Sequence, residues 1–152
     1  MPSNMTALSR ADSMQLPPGA AEPIAHPEHD RQLAVAFVGT YGPRRCGIAT
    51  FTFDLAAAVA GNERRVLPMV VAVTEPNGLH QYPPEVKFEI RQDVKADYAR
   101  AAEFINFSHV RLVSIQHEYG IFGGDDGGYV LDFVRALRMP AVVTLHTVLN
   151  HP

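Results

Sequence analysis

Hydrophobic positions along the chain fall into strand-length runs separated by segments of helical spacing. Apolar or nearly apolar runs occupy residues 33–38, 66–73, 110–115 and 141–145. The first of these runs is unbroken and ends at Gly39, which is typical of a strand covered on both faces. Residues 86–90 alternate apolar and charged positions, which predicts a third strand that lies near a sheet edge and has one solvent-exposed face.

Helical patterns lie between these strands. The first helix is predicted to face the sheet with residues three and four apart, and Gly61 with Asn62 provides its stop signal. Its predicted inward residues are Ile48, Phe51, Leu55 and Val59. The predicted inward residues of the second helix are Val94, Tyr98, Ala101, Ala102 and Ile105. Those of the third are Val130, Val134 and Leu137. Asp93 is expected to cap the second helix, and Asp125 or Asp126 the third.

Strands that alternate with helices favour an α/β fold, here a Rossmann-like, mostly parallel sheet with helices on both faces. The expected strand order is 3-2-1-4-5. Ligands bind at the carboxyl ends of the strands in such sheets. Polar, glycine-rich segments follow strands one, four and five, so this edge is the expected site.

A chain of 152 residues corresponds to one domain, which we place at residues 31–152. Residues 1–30 are rich in Pro, Ser and charged positions without helical or strand period, and we expect them to form a disordered, dispensable tail.

Charge and cysteine content narrow the possible functions. The formal net charge is -3 and the pI near 6.1, which provides no basic surface for nucleic acid. The single cysteine cannot form an internal disulfide. No apolar stretch approaches the roughly 18 residues of a membrane span, and the start lacks a signal peptide. We therefore expect a cytoplasmic protein, with peripheral attachment to the inner membrane face left open.

The segment after strand one, residues 39–47, leads directly into a helix. Free backbone N–H groups at a helix start favour an anion, so Gly42, Arg44, Arg45 and Gly47 are candidates for binding a phosphate or substrate. The segment matches neither the P-loop nor the dinucleotide glycine pattern. The alternative is a plain strand-to-helix turn with solvated arginines.

The segment after strand four, residues 116–128, contains five glycines. His117 and Glu118 at its start suit hydrogen bonding to sugar hydroxyls or proton transfer, and Gly123 and Gly124 allow close approach of another backbone or a substrate. The alternative is a pair of capping or solvated groups. No metal site is expected, because the spacing of zinc-binding helices and a second cysteine are both absent.

The segment after strand five contains His146. A single histidine after an apolar strand can be a satisfied buried group. Its position at the expected ligand edge makes it a candidate for the active site.

These segments together resemble the amino-terminal domain of family 4 glycosyltransferases, retaining enzymes with two Rossmann-like domains (the GT-B architecture). The resemblance runs from about Leu33 to the end of the chain. It rests on Phe-Val-Gly-Thr-Tyr at 37–41, Cys-Gly-Ile-Ala-Thr-Phe at 46–51, Ser-Ile-Gln-His-Glu-Tyr-Gly-Ile-Phe-Gly-Gly at 114–124 and Val-Val-Thr-Leu-His-Thr at 142–147.

The resemblance implies transfer of a sugar, with retention, from a nucleotide diphosphate sugar to a hydroxyl acceptor such as a saccharide or lipid-linked sugar. It implies His146 as the first active-site residue, then His117 and Glu118, with Gly42 and Gly47 as positions of close approach. Many members have Gly-Gly where this chain has Cys46-Gly47. No cofactor or metal beyond the nucleotide sugar is implied. The resemblance also implies that the domain at residues 31–152 is truncated and lacks a carboxyl-terminal donor domain, so the fragment alone is expected to be inactive.

The alternative function is a nucleotide-binding or regulatory Rossmann module without catalysis. A dehydrogenase is a distant third, because the glycine turn of the dinucleotide fold is missing.

Overall fold

The computed structural model describes residues 33–62 and 66–149. The predicted disordered tail, residues 1–30, lies outside the described residues. The strands are β1 (Leu33–Gly39), β2 (Val66–Thr74), β3 (Val86–Arg91), β4 (Val110–His117) and β5 (Ala141–Leu145). The helices are α1 (Gly47–Asn62), α2 (Lys95–Phe107) and α3 (Tyr129–Ala136). A short 3-10 turn, Asp125–Gly127, precedes α3.

All five strands are parallel and lie in the order β3-β2-β1-β4-β5. This confirms the Rossmann-like α/β fold, and β3 lies at an edge as its alternating pattern predicts. Pro68 lies where β2 pairs with β1 alone, since β3 joins only from Val70 onward. A residue without an N–H is tolerated there because the ladder on the other side has not begun.

Helices cover both faces of the sheet. On one face α1 packs over β1 and β2, where Phe37, Val70 and Ala56 share a core cluster. On the other face α2 and α3 cover the opposite side chains of the same strands, with Val71, Ile105 and other residues in a larger core. The two faces follow from right-handed crossovers that run in opposite directions from β1 and from β3.

The predicted inward face of α1 is wrong at Phe51. The fully buried residues of α1 are the small ones, Ala49, Thr52 and Ala56, whereas Phe51 is 43% exposed. Small side chains let the helix approach the sheet closely. A Cβ on Gly39 would meet the Thr52 hydroxyl at 3.2 Å, so little space separates β1 from α1.

The predicted aspartate caps are also wrong. The cap position of α2 is Val94 and that of α3 is Gly128, and neither helix has a side-chain cap. The first turn of α2 contains one carboxylate, Asp97. It is buried and accepts hydrogen bonds from Arg91 Nε at 2.7 Å and from Nη2 at 3.0 Å. The third helix ends at Ala136, before Leu137, which is partly buried beyond it.

Strand β5 is the least covered part of the sheet. Val142, Val143 and Leu145 are 54%, 46% and 56% exposed although they lie in an apolar strand. Among the described residues β5 pairs only with β4, so its outer edge is unpaired.

The described residues contain no helix both long and apolar enough to cross a membrane.

Candidate functional site

The segments that follow β4 and β5 lie side by side at the carboxyl edge of the sheet. The His146 backbone N–H donates to the His117 carbonyl oxygen at 3.0 Å, which continues the pairing of the two strands past their ends. Parallel strands in register bring these segments together, as the sequence predicts.

The His146 side chain is held in a short polar network. Its Nε2 lies 3.1 Å from Oε1 of Gln116, and the Gln116 amide donates to the Ser114 hydroxyl at 3.0 Å. Gln116 is fully buried. The imidazole also meets the Phe51 ring edge-on, with centroids 4.7 Å apart. His146 is therefore partly buried on the α1 side of the sheet and outside the core.

The network favours one tautomer of the His146 ring. Because the Gln116 amide nitrogen faces Ser114, its oxygen faces His146 and accepts a hydrogen bond. In the neutral imidazole this places the proton on Nε2 and leaves Nδ1 as an acceptor. An acceptor nitrogen at the ligand edge of the sheet can receive a hydrogen bond from a hydroxyl group.

Glu118 lies beside this network. Its Oε2 accepts a hydrogen bond from the Thr147 hydroxyl at 2.7 Å and its Oε1 accepts one from the Tyr119 backbone N–H at 2.7 Å. These two bonds, the Thr147 bond first, lower the pKa of Glu118, and the nearby His146 and His117 act in the same direction. Glu118 is therefore ionised at neutral pH, so it suits an acceptor or electrostatic role better than that of a general acid.

His117 faces away from His146. Its ring stacks on Phe122 at 5.7 Å and meets Tyr119 edge-on at 5.8 Å. Phe122 belongs to the core on the α2 and α3 side, opposite His146. The His117 Nδ1 atom is buried and has no hydrogen-bond partner among the described residues. The backbones of the two histidines are thus neighbours across β4 and β5, but their side chains lie on different faces of the sheet.

The loop after β1 does not offer two unpaired arginines. Arg44 Nη1 lies 3.4 Å from Glu75 Oε2, although neither atom makes an aligned hydrogen bond. The contact is an ion pair without a directional hydrogen bond. Burial works to raise the pKa of Glu75, but its own backbone N–H, His80 and Arg44 outweigh this and lower it. Arg45 is exposed.

Steric fit does not require glycine at Gly42 or Gly47. A Cβ at either position would meet no atom within 4 Å. Gly47 begins α1, where the Cys46 thiol acts as the cap by accepting the Ala49 N–H at 3.4 Å and lies 3.1 Å from the Thr40 hydroxyl. Gly42 instead lines a shallow cavity of about 400 Å³ beside Tyr41. The phosphate-binding role predicted for this loop stays a prediction.

Gly123 and Gly124 line a separate cleft, which we call the glycine cleft. It has a volume of about 500 Å³ and lies between the segment after β4 and the turn from β3 to α2. Its other lining residues include Gln92, Asp93, Tyr119, Asp126 and Tyr129. A Cβ on Gly123 would collide with the Gln92 backbone oxygen, and Gly124 has φ of +82° beneath the Tyr129 ring. Both positions therefore require glycine.

Tyr98 joins the two walls of the glycine cleft. Its hydroxyl accepts the Gly123 N–H at 2.8 Å and donates to the Gln92 carbonyl oxygen at 2.9 Å, and its side chain is fully buried. Gln92 Nε2 adds a bond to the Gly120 carbonyl oxygen at 2.8 Å. The cleft is thus held by hydrogen bonds that cross between the two segments.

The structure brings His146 and Glu118 into one cluster and places His117, Gly123 and Gly124 on the neighbouring, α2 and α3 side. The residues that complete the cluster but were not predicted as site residues are Gln116, Phe51 and Thr147. Gln116 is a polar residue near the carboxyl end of β4, directly before His117, and this position at the ligand edge was the available signal. Within residues 33–62 and 66–149 no three His, Cys, Asp or Glu side chains are grouped closely enough to hold a metal ion.

Comparisons with protein-family models, with curated proteins and with solved structures find no match for this chain.

Proposed function

We propose that this chain forms the acceptor-side wall of a retaining glycosyltransferase. In the full-length protein a second domain holds a nucleotide diphosphate sugar, and the sugar passes to a hydroxyl acceptor held against the carboxyl edge of this sheet. The proposal rests on the resemblance of its loop segments and on one arrangement in the fold.

That arrangement is the Ser114–Gln116–His146 network. It fixes the imidazole of His146 at the edge where parallel α/β sheets bind ligands, and it leaves Nδ1 as an acceptor. A fixed acceptor is suited to orienting a sugar hydroxyl, because little side-chain freedom is lost when the ligand binds.

The charges near His146 support different roles for the two domains in sugar transfer. Glu118 is ionised and favours positive charge, such as that which develops at the anomeric carbon during sugar transfer. Arg44 is paired with Glu75, so its charge is partly neutralised. We therefore assign stabilisation of the leaving diphosphate mainly to the second domain and sugar orientation to this one.

The test uses the full-length protein and measures sugar transfer from a panel of nucleotide diphosphate sugars to saccharide acceptors. We expect His146→Ala to lower turnover at least about tenfold while the melting curve changes little. The matched control is His109→Ala, an exposed histidine just before β4 at the opposite edge of the sheet, which should leave turnover unchanged.

Two results would contradict the proposal. One is a His146→Ala protein that transfers sugar at the normal rate. The other is a full-length protein that binds nucleotide but transfers no sugar from any donor, which would favour the non-catalytic nucleotide-binding module instead.

A further inference from the structure

We infer that the glycine cleft binds a neutral saccharide ring, at a site separate from the His146 cluster. Its volume of about 500 Å³ falls within the range of about 300 to 1,000 Å³ that is typical of small-molecule sites. The cleft opens at the carboxyl ends of β3 and β4, the edge where ligands of this fold class bind.

The lining chemistry matches a hydroxyl-rich ring. Tyr119 and Tyr129 contribute aromatic surface for the apolar face of a sugar, while the carboxylates of Asp93 and Asp126 accept hydrogen bonds from hydroxyl groups. Asp93 and Asp126 make no ion pair with any other described residue. Their oxygens are therefore available to a ligand.

An anionic ligand does not fit this lining. None of the residues that line the cleft is a lysine or arginine, and two are aspartates. A phosphate group would meet two like charges, and the Lys95 ammonium beside the Tyr129 ring is already paired with Asp132 at 3.3 Å, so binding would cost free energy. The cleft is thus unsuited to the diphosphate of a nucleotide sugar.

A cationic ligand is also disfavoured, because a cation already lies against the aromatic wall. Lys95 Nζ lies 5.7 Å from the centroid of the Tyr129 ring and 3.3 Å from Asp132. A ligand ammonium at the same ring would be repelled by Lys95. A neutral polyol avoids both conflicts.

The cleft is formed before any ligand binds. The Tyr98 hydroxyl and the Gln92 amide tie its two walls together, and the backbone at Gly123 is in close contact with Gln92. Asp126 has φ of +51°, a left-handed conformation that aspartate and asparagine tolerate better than most residues. Walls that are already ordered reduce the entropy lost on binding.

The inference deepens the proposed function by locating the acceptor. Tyr119 lines the cleft, and its N–H binds Glu118 of the His146 cluster, so the two sites meet at one peptide. The identification of the bound saccharide as the acceptor rests on the proposed function. Saccharide binding in the cleft does not.

The experiment titrates the isotope-labelled 152-residue chain with methyl glycosides of glucose, mannose and galactose and follows backbone amide signals by NMR. Choline and inorganic pyrophosphate serve as the cationic and anionic probes. We expect at least one glycoside to shift the amides of Gly120, Gly123 and Gly124 at millimolar concentration. Neither choline nor pyrophosphate should shift them.

A matched pair of variants tests the carboxylate. Asp126→Asn keeps the backbone preference of this position but removes the charge, and we expect it to weaken glycoside binding about tenfold. Asp125→Asn changes the adjacent carboxylate, which does not line the cleft, and should bind as the parent chain does.

Four outcomes would overturn the inference. In the titration, these are that no glycoside shifts the cleft amides, that choline or pyrophosphate shifts them more strongly, or that the glycoside shifts only signals around His146 and Phe51. The fourth is that the two aspartate variants bind the glycoside equally well.

A full-length protein that transfers no sugar but still binds glycoside in the cleft would instead contradict the proposed function alone. The two failures are thus distinguishable.

Discussion

His146 and Gln116 are joined side chain to side chain across the ends of β5 and β4, with 3.1 Å between the imidazole Nε2 and the amide oxygen. Gln116 is fully buried, so the orientation of a partly exposed histidine is determined from within the sheet. An exposed histidine without such a partner would sample several rotamers and both tautomers.

The first prediction concerns this pair. In the parent chain the His146 ring should carry its neutral-state proton on Nε2, which nitrogen chemical shifts report directly. Gln116→Leu should give a mixture of tautomers and lower the free energy of unfolding by about 1 kcal/mol, because the hydrogen bonds to His146 and Ser114 are both lost. A parent chain protonated on Nδ1 would contradict the network described above.

The second prediction compares two glycines. Gly123→Ala should lower the free energy of unfolding by about 3 kcal/mol or more, because the new methyl group meets backbone atoms that cannot move aside. Gly47→Ala should change it by less than about 0.5 kcal/mol, since nothing lies near that position. Urea unfolding measures both. Equal effects at the two positions would show that the Gly123 contact is not tight in solution.

The third prediction concerns a variant that lacks one buried hydroxyl group. Tyr98→Phe should lower the free energy of unfolding by about 1 to 3 kcal/mol, because it leaves the buried Gly123 N–H without an acceptor. It should also increase hydrogen exchange at Gly123. Tyr119→Phe provides the control, because the Tyr119 side chain is about half exposed and its hydroxyl makes no hydrogen bond within the described residues.

The fourth prediction concerns acid stability. Hydrogen bonds from Arg91 hold the pKa of Asp97 below its usual value, while burial opposes this. The folded pKa is therefore lower than the unfolded value of about 3.9, so the stabilising contribution is complete above that pH and is lost as pH falls through the folded pKa.

Asp97→Asn should consequently be less stable than the parent at pH 7, by about 1.5 kcal/mol, the low end for charged hydrogen bonds because Arg91 is largely exposed. The gap should narrow as the pH falls below about 4. Thermal unfolding at several pH values measures it. A gap that stays constant across this range would show that Asp97 acts through packing and not through its charge.

The fifth prediction concerns the isolated chain. We expect the 152-residue chain to show no sugar transfer from any nucleotide diphosphate sugar, because the proposed reaction needs a donor-holding domain. Mass spectrometry of saccharide acceptors measures this. Turnover by the purified chain that is abolished in His146→Ala would show that the second domain is dispensable.

Much of the fold could be predicted because parallel strands leave a strong signal. Buried strands such as 33–38 are continuous apolar runs and the strand at 86–90 alternates, so the number of strands and the edge position of β3 follow from the pattern. The edge position of β5 does not, because that strand is an apolar run as well. The face of α1 could not be predicted in this way. That helix contains many alanines, and its phenylalanines are exposed, so the largest residues do not mark the buried side.

The site was predictable only to the level of the backbone. The register of β4 and β5 brings the segments with His117 and His146 together, and the sequence predicts this meeting. The face to which each side chain turns depends on the parity of its position along the strand. His117 pairs with Leu145, so His146 falls on the opposite face. The predicted aspartate caps failed because α2 and α3 begin after Val94 and Gly128 without a side-chain cap.

The open edge of β5 has a practical consequence for work in concentrated solution. Within the described residues the outer edge of β5 is unpaired, and together with the exposed side chains of Val142, Val143 and Leu145 it offers backbone groups and apolar surface to another copy of the chain. Solutions of the chain should therefore associate as concentration rises, and a lysine in place of Val142 should delay that association. The tendency of the isolated domain to self-associate thus depends on the strand that leads into His146. Protein concentration is therefore the first condition to control in any binding measurement.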